Sequence, residues 1–261
     1  MSILRHLKRI LTPVLHGIGV DIVRYPPAAR AIERPISRPF NVLEFLISDL
    51  AARHRKPFFI QVGANNGIRW DPLRDLIRKH HLPGLLIEPL PDIFDELKKN
   101  YASEPQLLFE GAALAKQDGF HTLFRVRADA PVGDWAQGIA SFNKSHLENH
   151  LKGETDGYEQ WIEEVTVPTI SVASLLTKHS ISEVALLQID TEGYDFEILK
   201  MFFDAGVLPD VVNFERVHLS FEDQQASRRL LIQNGYRFID VGIDTLGIRA
   251  TLTTSSEPED R

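Results

Sequence analysis

The chain has 261 residues, 29 Lys and Arg against 36 Asp and Glu, a formal charge of −7 and no cysteine. At this length a chain buries roughly three quarters of its unfolded surface and folds without staples, and the lack of Cys excludes a disulfide framework, a thiolate metal site and a cysteine nucleophile. The acidic balance excludes a general nucleic-acid binder, which needs basic charge to displace counterions.

Charge is unevenly spread. Residues 1–40 hold seven basic and two acidic groups, a net +5 that leaves −12 for the rest. Ile3, Leu4, Leu7, Ile10, Leu11, Val14, Leu15 and Ile18 recur there at a helical period, and Pro13 after Thr12 suits the first turn of a second helical piece. No apolar run reaches the roughly eighteen residues of a membrane span. A secretory signal is not expected, since the segment lacks a continuous apolar core and a small-residue cleavage site; the expected location is cytoplasmic. This basic amphipathic extension suits packing on its own acidic domain or on a second copy, weighed ahead of peripheral contact with an anionic membrane.

Pro26, Pro27, Pro35 and Pro39 mark a connector to the main domain, expected over 41–254, with a frayed tail at 255–261. A helical pattern runs from Asn41 to about residue 54, where Lys56-Pro57 stops it. Apolar, β-branched or aromatic runs follow at 58–62, 85–87, 107–109, 184–189 and 211–214. The first four each lead through turn residues into helix-like sequence, the rhythm of a parallel sheet covered on both faces. The rhythm then changes to an antiparallel hairpin, 236–241 and 245–250, joined through Gly242-Ile243-Asp244. An insertion at about 117–168 breaks the alternation. Its strand-like segments, 121–127 and 164–167, flank roughly thirty-five polar, turn-rich residues with Trp135, His146, Tyr158 and Trp161. That stretch reads as a long loop, either a lid or substrate-binding element or a surface excursion.

Chemistry concentrates at the ends of the strands. The first runs into Gly63-Ala64-Asn65-Asn66-Gly67, where glycine permits a sharp turn and close approach of a ligand. An open α/β sheet binds nucleotides at this turn. The pattern is not G-x-G-x-x-G and lacks the Lys-Ser/Thr of a phosphate loop. Glu88 closes the second strand, where a carboxylate accepts hydrogen bonds from both hydroxyls of an adenosine ribose. The pair points to an adenosine cofactor without a diphosphate, and S-adenosylmethionine fits. The fourth strand delivers Asp190 and Glu192 ahead of a helix starting near Tyr194. Glu192, Asp195 and Glu197 also suit a helix N-terminus, whereas Asp190 stands at the strand end itself. The fifth delivers Asn213, Glu215 and His218; the last two are read either as an acid–base pair or as a loop salt-linked to Arg216. Ser220 and Asp223 read as the cap of a helix ended by Gly235.

Together the segments FFIQVGANNG, LLIEPLP, GAALAKQDG, VPTISVASLL and LLQIDTEGYDFEILK resemble the FkbM family of S-adenosylmethionine-dependent methyltransferases, over about residues 57–250. The resemblance implies a Rossmann-like class I methyltransferase fold of the α/β class: a mostly parallel seven-stranded sheet with a C-terminal antiparallel hairpin. It also implies O-methylation of a saccharide or other natural-product hydroxyl. Gln61 stands where the family has an Asp. By the resemblance, Gln61, Gly63, Ala64, Asn65 and Gly67 surround the methionine part of the cofactor. Glu88 holds the ribose, Gly111, Ala112 and Ala113 line the adenine, and Asp190 sits between cofactor and acceptor.

Methyl transfer to an alcohol needs a base, expected among Asp190, Glu192, Glu215 and His218. The insertion is expected to shape the pocket for a small-molecule or glycan acceptor. A metal-free site is weighed ahead of Mg²⁺ or Ca²⁺ on Asp190, Asn213 and Glu215. The competing readings are a non-catalytic S-adenosylmethionine-binding or scaffolding protein, which Gln61 would suit, and a nicotinamide-dependent oxidoreductase, which shares the Gly turn and strand-end Glu. A homo-oligomer is compatible with the sequence.

Overall fold

A computed structural model describes residues 41–53, 57–133, 136 and 139–250. The expected basic extension, the tail and Trp135 lie outside these described residues. The chain divides after Asn41, and the fold is that of the unit from Val42 onward.

Helix α1 (Val42–Arg53) leads into β1 (Phe59–Val62), α2 (Arg74–His80), β2 (Gly84–Ile87), α3 (Pro91–Asn100) and β3 (Leu107–Glu110). After the inserted region come α5 (Val172–Lys178), β8 (Leu186–Ile189), α6 (Asp195–Asp204), β9 (Val211–Glu215), α7 (Phe221–Gln233), β10 (Tyr236–Val241) and β11 (Asp244–Arg249). The strands form a seven-stranded sheet in the order β10-β11-β9-β8-β1-β2-β3. β9, β8, β1, β2 and β3 are parallel; β11 runs antiparallel to both β9 and β10. The seven strands, the parallel majority and the terminal hairpin are those expected from the sequence.

Strands β1, β2 and β8 are buried throughout because helices cover both faces. Their side chains alternate between two cores, as a period of two requires. Ile60, Val62, Leu85, Ile87, Leu187 and Ile189 pack with Leu175 of α5 and Ile198, Leu199 and Phe202 of α6. Phe59, Leu86 and Leu186, on the other face, pack with Ile47 and Leu50 of α1, Leu76 and Ile77 of α2 and Leu97 of α3. Ser220 caps α7, its Oγ accepting from Asp223 N at 3.1 Å, and Gly235 follows that helix in a left-handed conformation (φ +80°).

The inserted region is not a loop. It holds β4 (Ala113–Leu114), β5 (Gly119–Val126), β6 (Ala140–Ser141), α4 (Lys144–Leu151) and β7 (Ile162–Ile170), with a 3₁₀ turn at Tyr158–Trp161. The four strands make a second sheet, β4-β7-β5-β6. Val126, Ala136, Ile139, Leu147 and Leu151 form its own small core, onto which Tyr158 and Trp161 pack. Trp161 therefore packs, half-buried, against the insertion's own core, with Arg127 over its ring at 5.5 Å.

Candidate functional site

The strand order reverses between β1 and β8, and a cavity of about 470 Å³ opens above the carboxyl ends of the strands there. An open α/β sheet places its ligand at such a switch point. Gln61, Gly63, Ala64, Asn65, Glu88, Ala112, Ala113, Asp190, Glu192, Glu215 and His218 all line it. Gly67, Gly111 and Asn213 do not. The insertion closes one side with Leu123, Ile139, Ala140, Ser141, Phe142 and His150.

Gly63 is required by packing. Its φ is +78°, and a Cβ there would lie 1.7 Å from the carbonyl oxygen of Asp190. The turns after β1 and β8 thus meet backbone to backbone at the cavity floor. Gly67, also left-handed at φ +69°, faces Tyr101 and Leu97 instead; a Cβ would come within 2.3 Å of the Tyr101 ring. Asn66 organises the same loop, its Oδ1 accepting from Ile68 N and Arg69 N, each at 3.1 Å.

Glu88 is buried beside this loop. Its Oε2 accepts from Asn65 N at 3.0 Å and its Oε1 from Leu90 N at 2.9 Å. Burial pushes its pKa up to about 7 against these two bonds. Each oxygen keeps a further lone pair for an incoming hydroxyl.

Gln61 belongs to a polar row across the sheet. Register aligns Gln61 with Gln188 and Gln188 with Asn213. Asn213 Nδ2 donates to Gln188 Oε1 at 2.9 Å and to Asp244 Oδ2 at 3.1 Å. At the other end Gln61 Nε2 donates to Asp71 Oδ1 at 3.1 Å, and the Tyr101 hydroxyl donates to Asp71 Oδ2 at 2.8 Å. Asp71 lines the cavity. A carboxylate of the following loop thus stands beside Gln61 at the cavity. Gln61 Oε1 is buried and accepts no hydrogen bond from a described residue. With Asn213 committed to this row and outside the cavity lining, the oxygen-only trio Asp190, Asn213 and Glu215 does not converge on the cavity.

Carboxyls crowd the opposite wall. Burial, followed by the charges of Asp195, Glu192, Asp244 and Asp71, pushes Asp190 up to about 8. Burial, with Asp190, Glu192, Asp195 and Asp244 nearby, pushes Glu215 up to about 9. Asp195 lies at the start of α6. Its Oδ2 accepts from Thr191 Oγ1 at 3.1 Å and Gly193 N at 3.3 Å, shaping the loop between β8 and α6. Mutual repulsion at low dielectric makes this wall a host for a cation.

Three histidines gather round Glu192. His146 Nε2 lies 3.1 Å from Glu192 Oε2, and His218 Nε2 lies 3.6 Å from the same oxygen and 3.5 Å from Glu215 Oε2. Burial disfavours an ionised Glu192. The hydrogen bond to His146 and the charges of His218, His146 and His150 outweigh this and hold its pKa below the usual value. Glu192 itself sits at φ +54°, a costly conformation for a residue with a Cβ. Ser141 Oγ donates to Glu192 O at 3.2 Å, tying β6 to this loop.

Asp71, His146 and His150 were not among the expected site residues. His146 and His150 stand four apart in Ser-His-Leu-Glu-Asn-His, a helical spacing that puts both on one face. That spacing is the signal by which sequence could have found them.

A family model for the methyltransferase FkbM domain matches residues 61–238. No protein of curated function matches the sequence. Among solved structures, one similar chain is a methyltransferase FkbM from Methylobacillus flagellatus KT, with a TM-score of 0.46 and 12% identity over 74% of this chain and 43% of that one. This chain therefore spans less than half the length of that protein. An RNA methyltransferase from Salinibacter ruber in complex with S-adenosyl-L-homocysteine has a TM-score of 0.39 and 13% identity, over 85% of this chain and 98% of that one. The S-adenosylhomocysteine-bound methyltransferase PaMTH1 of Podospora anserina has a TM-score of 0.39 and 12% identity, over 87% and 82% respectively.

Proposed function

The chain belongs to the FkbM family of S-adenosylmethionine-dependent methyltransferases, and on that premise we propose that it methylates a hydroxyl oxygen of a saccharide acceptor. The observation that carries this reading is one cavity that has Glu88 on one side and the crowded Asp190, Glu192 and Glu215 on the other. A ribose suits the first side and a sulfonium the second.

In this reading Gln61, Gly63, Ala64 and Asn65 surround the methionine part, with Gln61 Oε1 accepting from its ammonium. Glu88 receives the ribose hydroxyls, and Ala112 and Ala113 flank the adenine. Gly67 and Gly111 act from behind, as turn and packing residues. Held in line with the sulfur, the acceptor oxygen attacks the methyl carbon while the carbon–sulfur bond breaks and its electron pair returns to sulfur. The hydroxyl proton must leave. Of the four expected candidates, Asp190 suits the task best: it lies over the switch point, and a carboxylate with raised proton affinity is a stronger base than an ordinary one.

Trp70 supports a saccharide. It lines the cavity rim, stands 86% exposed and is held at φ +53°, an arrangement suited to stacking on a sugar ring. The test is incubation with methyl-labelled S-adenosylmethionine and a panel of saccharide, polyketide and lipid-linked hydroxyl acceptors. Label on a saccharide oxygen is expected. Label only on nitrogen or on polyketide or lipid-linked acceptors would overturn the acceptor assignment.

A further inference from the structure

Among the described residues, His146, His150, His218 and Glu192 form the group whose ligand atoms all lie within 4.8 Å of one another. Two come from one face of the insertion's helix α4, and two from the loops that follow β8 and β9. The three rings pack mutually, with centroids 4.4 Å apart for His146–His150 and 4.8 Å for His146–His218 and His150–His218. We propose that these four residues bind one divalent transition-metal ion of the Zn²⁺ type, which clamps the insertion onto the acceptor side of the cavity.

Around Glu192 the spacing fits such an ion, and the wider pairs of the group, up to 4.8 Å apart, close on binding. A tetrahedron with metal–ligand bonds of about 2.0–2.1 Å has edges of about 3.3 Å. The two edges fixed at Glu192 Oε2 are 3.1 Å to His146 Nε2 and 3.6 Å to His218 Nε2, one on either side of that value. The donor set also fits. Three imidazoles and one carboxylate favour Zn²⁺ and its neighbours over Mg²⁺ or Ca²⁺, which take oxygen. His150 is oriented for ligation by its second nitrogen: Nδ1 lies 2.9 Å from the carbonyl oxygen of His146 and must donate to it, which leaves Nε2 with the lone pair. The strained φ of Glu192 and the bond from Ser141 hold the loop carboxylate beneath the helix.

A set of four protein ligands is closed, so the ion acts as a clamp. Glu192 and His218 are then ligands, and Asp190 and Glu215 are left to take the acceptor's proton. The proposal stands apart from methyl transfer, since it is read from metal binding alone.

The test is calorimetric titration of ZnCl₂ into the metal-stripped full chain. One Zn²⁺ per chain is expected, with the His146→Ala/His150→Ala double variant binding about a hundredfold or more weakly. His81→Asn, at an exposed histidine remote from the cluster, should bind as the parent does. Co²⁺ in the unmutated protein is expected to give the intense visible absorption of a four-coordinate site, a readout that does not depend on the variants folding. Absence of stoichiometric binding, equal affinity in the double variant, or a weak six-coordinate Co²⁺ spectrum would overturn the proposal.

Discussion

The two walls of the cavity are built on opposite plans. The wall above β1 and β2 is local: a glycine turn, a strand-end Glu88, and backbone N–H groups of Asn65 and Leu90 that bind it. The wall above β8 and β9 is assembled from distance, with Asp190, Glu192, Glu215 and His218 meeting His146 and His150 of the insertion. The first wall has two carboxyls, Glu88 and Asp71, each supplied with at least two donors; on the second, Asp190 and Glu215 are raised by burial and by neighbouring carboxyls. A rigid, hydrogen-bonded wall suits recognition of a fixed ligand. A crowded, high-energy wall suits attraction of positive charge and movement of a proton.

Changes on the two walls should separate accordingly. The largest effect is expected for Asp190→Ala, which should lower kcat by about 10²–10⁴-fold, the range for loss of a general base. Steady-state kinetics on a turned-over acceptor check it, and a rate within threefold of the parent would move the base elsewhere. Glu88→Gln should leave chemistry largely intact and weaken S-adenosylmethionine binding by about 10- to 100-fold, the worth of hydrogen bonds to a charged acceptor. Calorimetry reads that directly.

The smallest effect is a proton count. In the empty cavity Asp190 near 8 and Glu215 near 9 are largely protonated at neutral pH. Because these values lie above the ordinary 3.8 and 4.5, the groups add stability that is fully present below about pH 4 and is lost progressively as pH rises to about 8 to 9. A bound cation favours the ionised forms, so cofactor binding at pH 7 should release a fraction of a proton to about one. Titration in two buffers of different ionisation enthalpy measures it. Proton uptake would contradict the cationic role of the second wall.

The same contrast explains what the sequence disclosed. The parallel strands are legible because they are largely apolar runs between turns, the hairpin because of the turn at Gly242-Ile243-Asp244, and Glu88 and Asp190 because each stands at an apolar run's end. Asp71 is hidden in the sequence, since it is the folded loop and the hydrogen bond from Gln61 that bring it to the cavity. The row Gln61–Gln188–Asn213 depends on the register of three strands, which no single segment specifies. Helix α4 looks like loop in the sequence because it has eight residues and only Leu147 and Leu151 buried, too little apolar periodicity to stand out. The histidines it carries went unplaced for the same reason.

One cavity is expected to hold the cofactor between these walls, and a crystal structure with S-adenosylhomocysteine decides it. The ribose hydroxyls are expected on Glu88, the amino-acid portion on the turn after β1 and the sulfur facing the Asp190 wall. Density for the ligand outside this cavity, or inside it with the ribose turned away from Glu88, would rule this arrangement out.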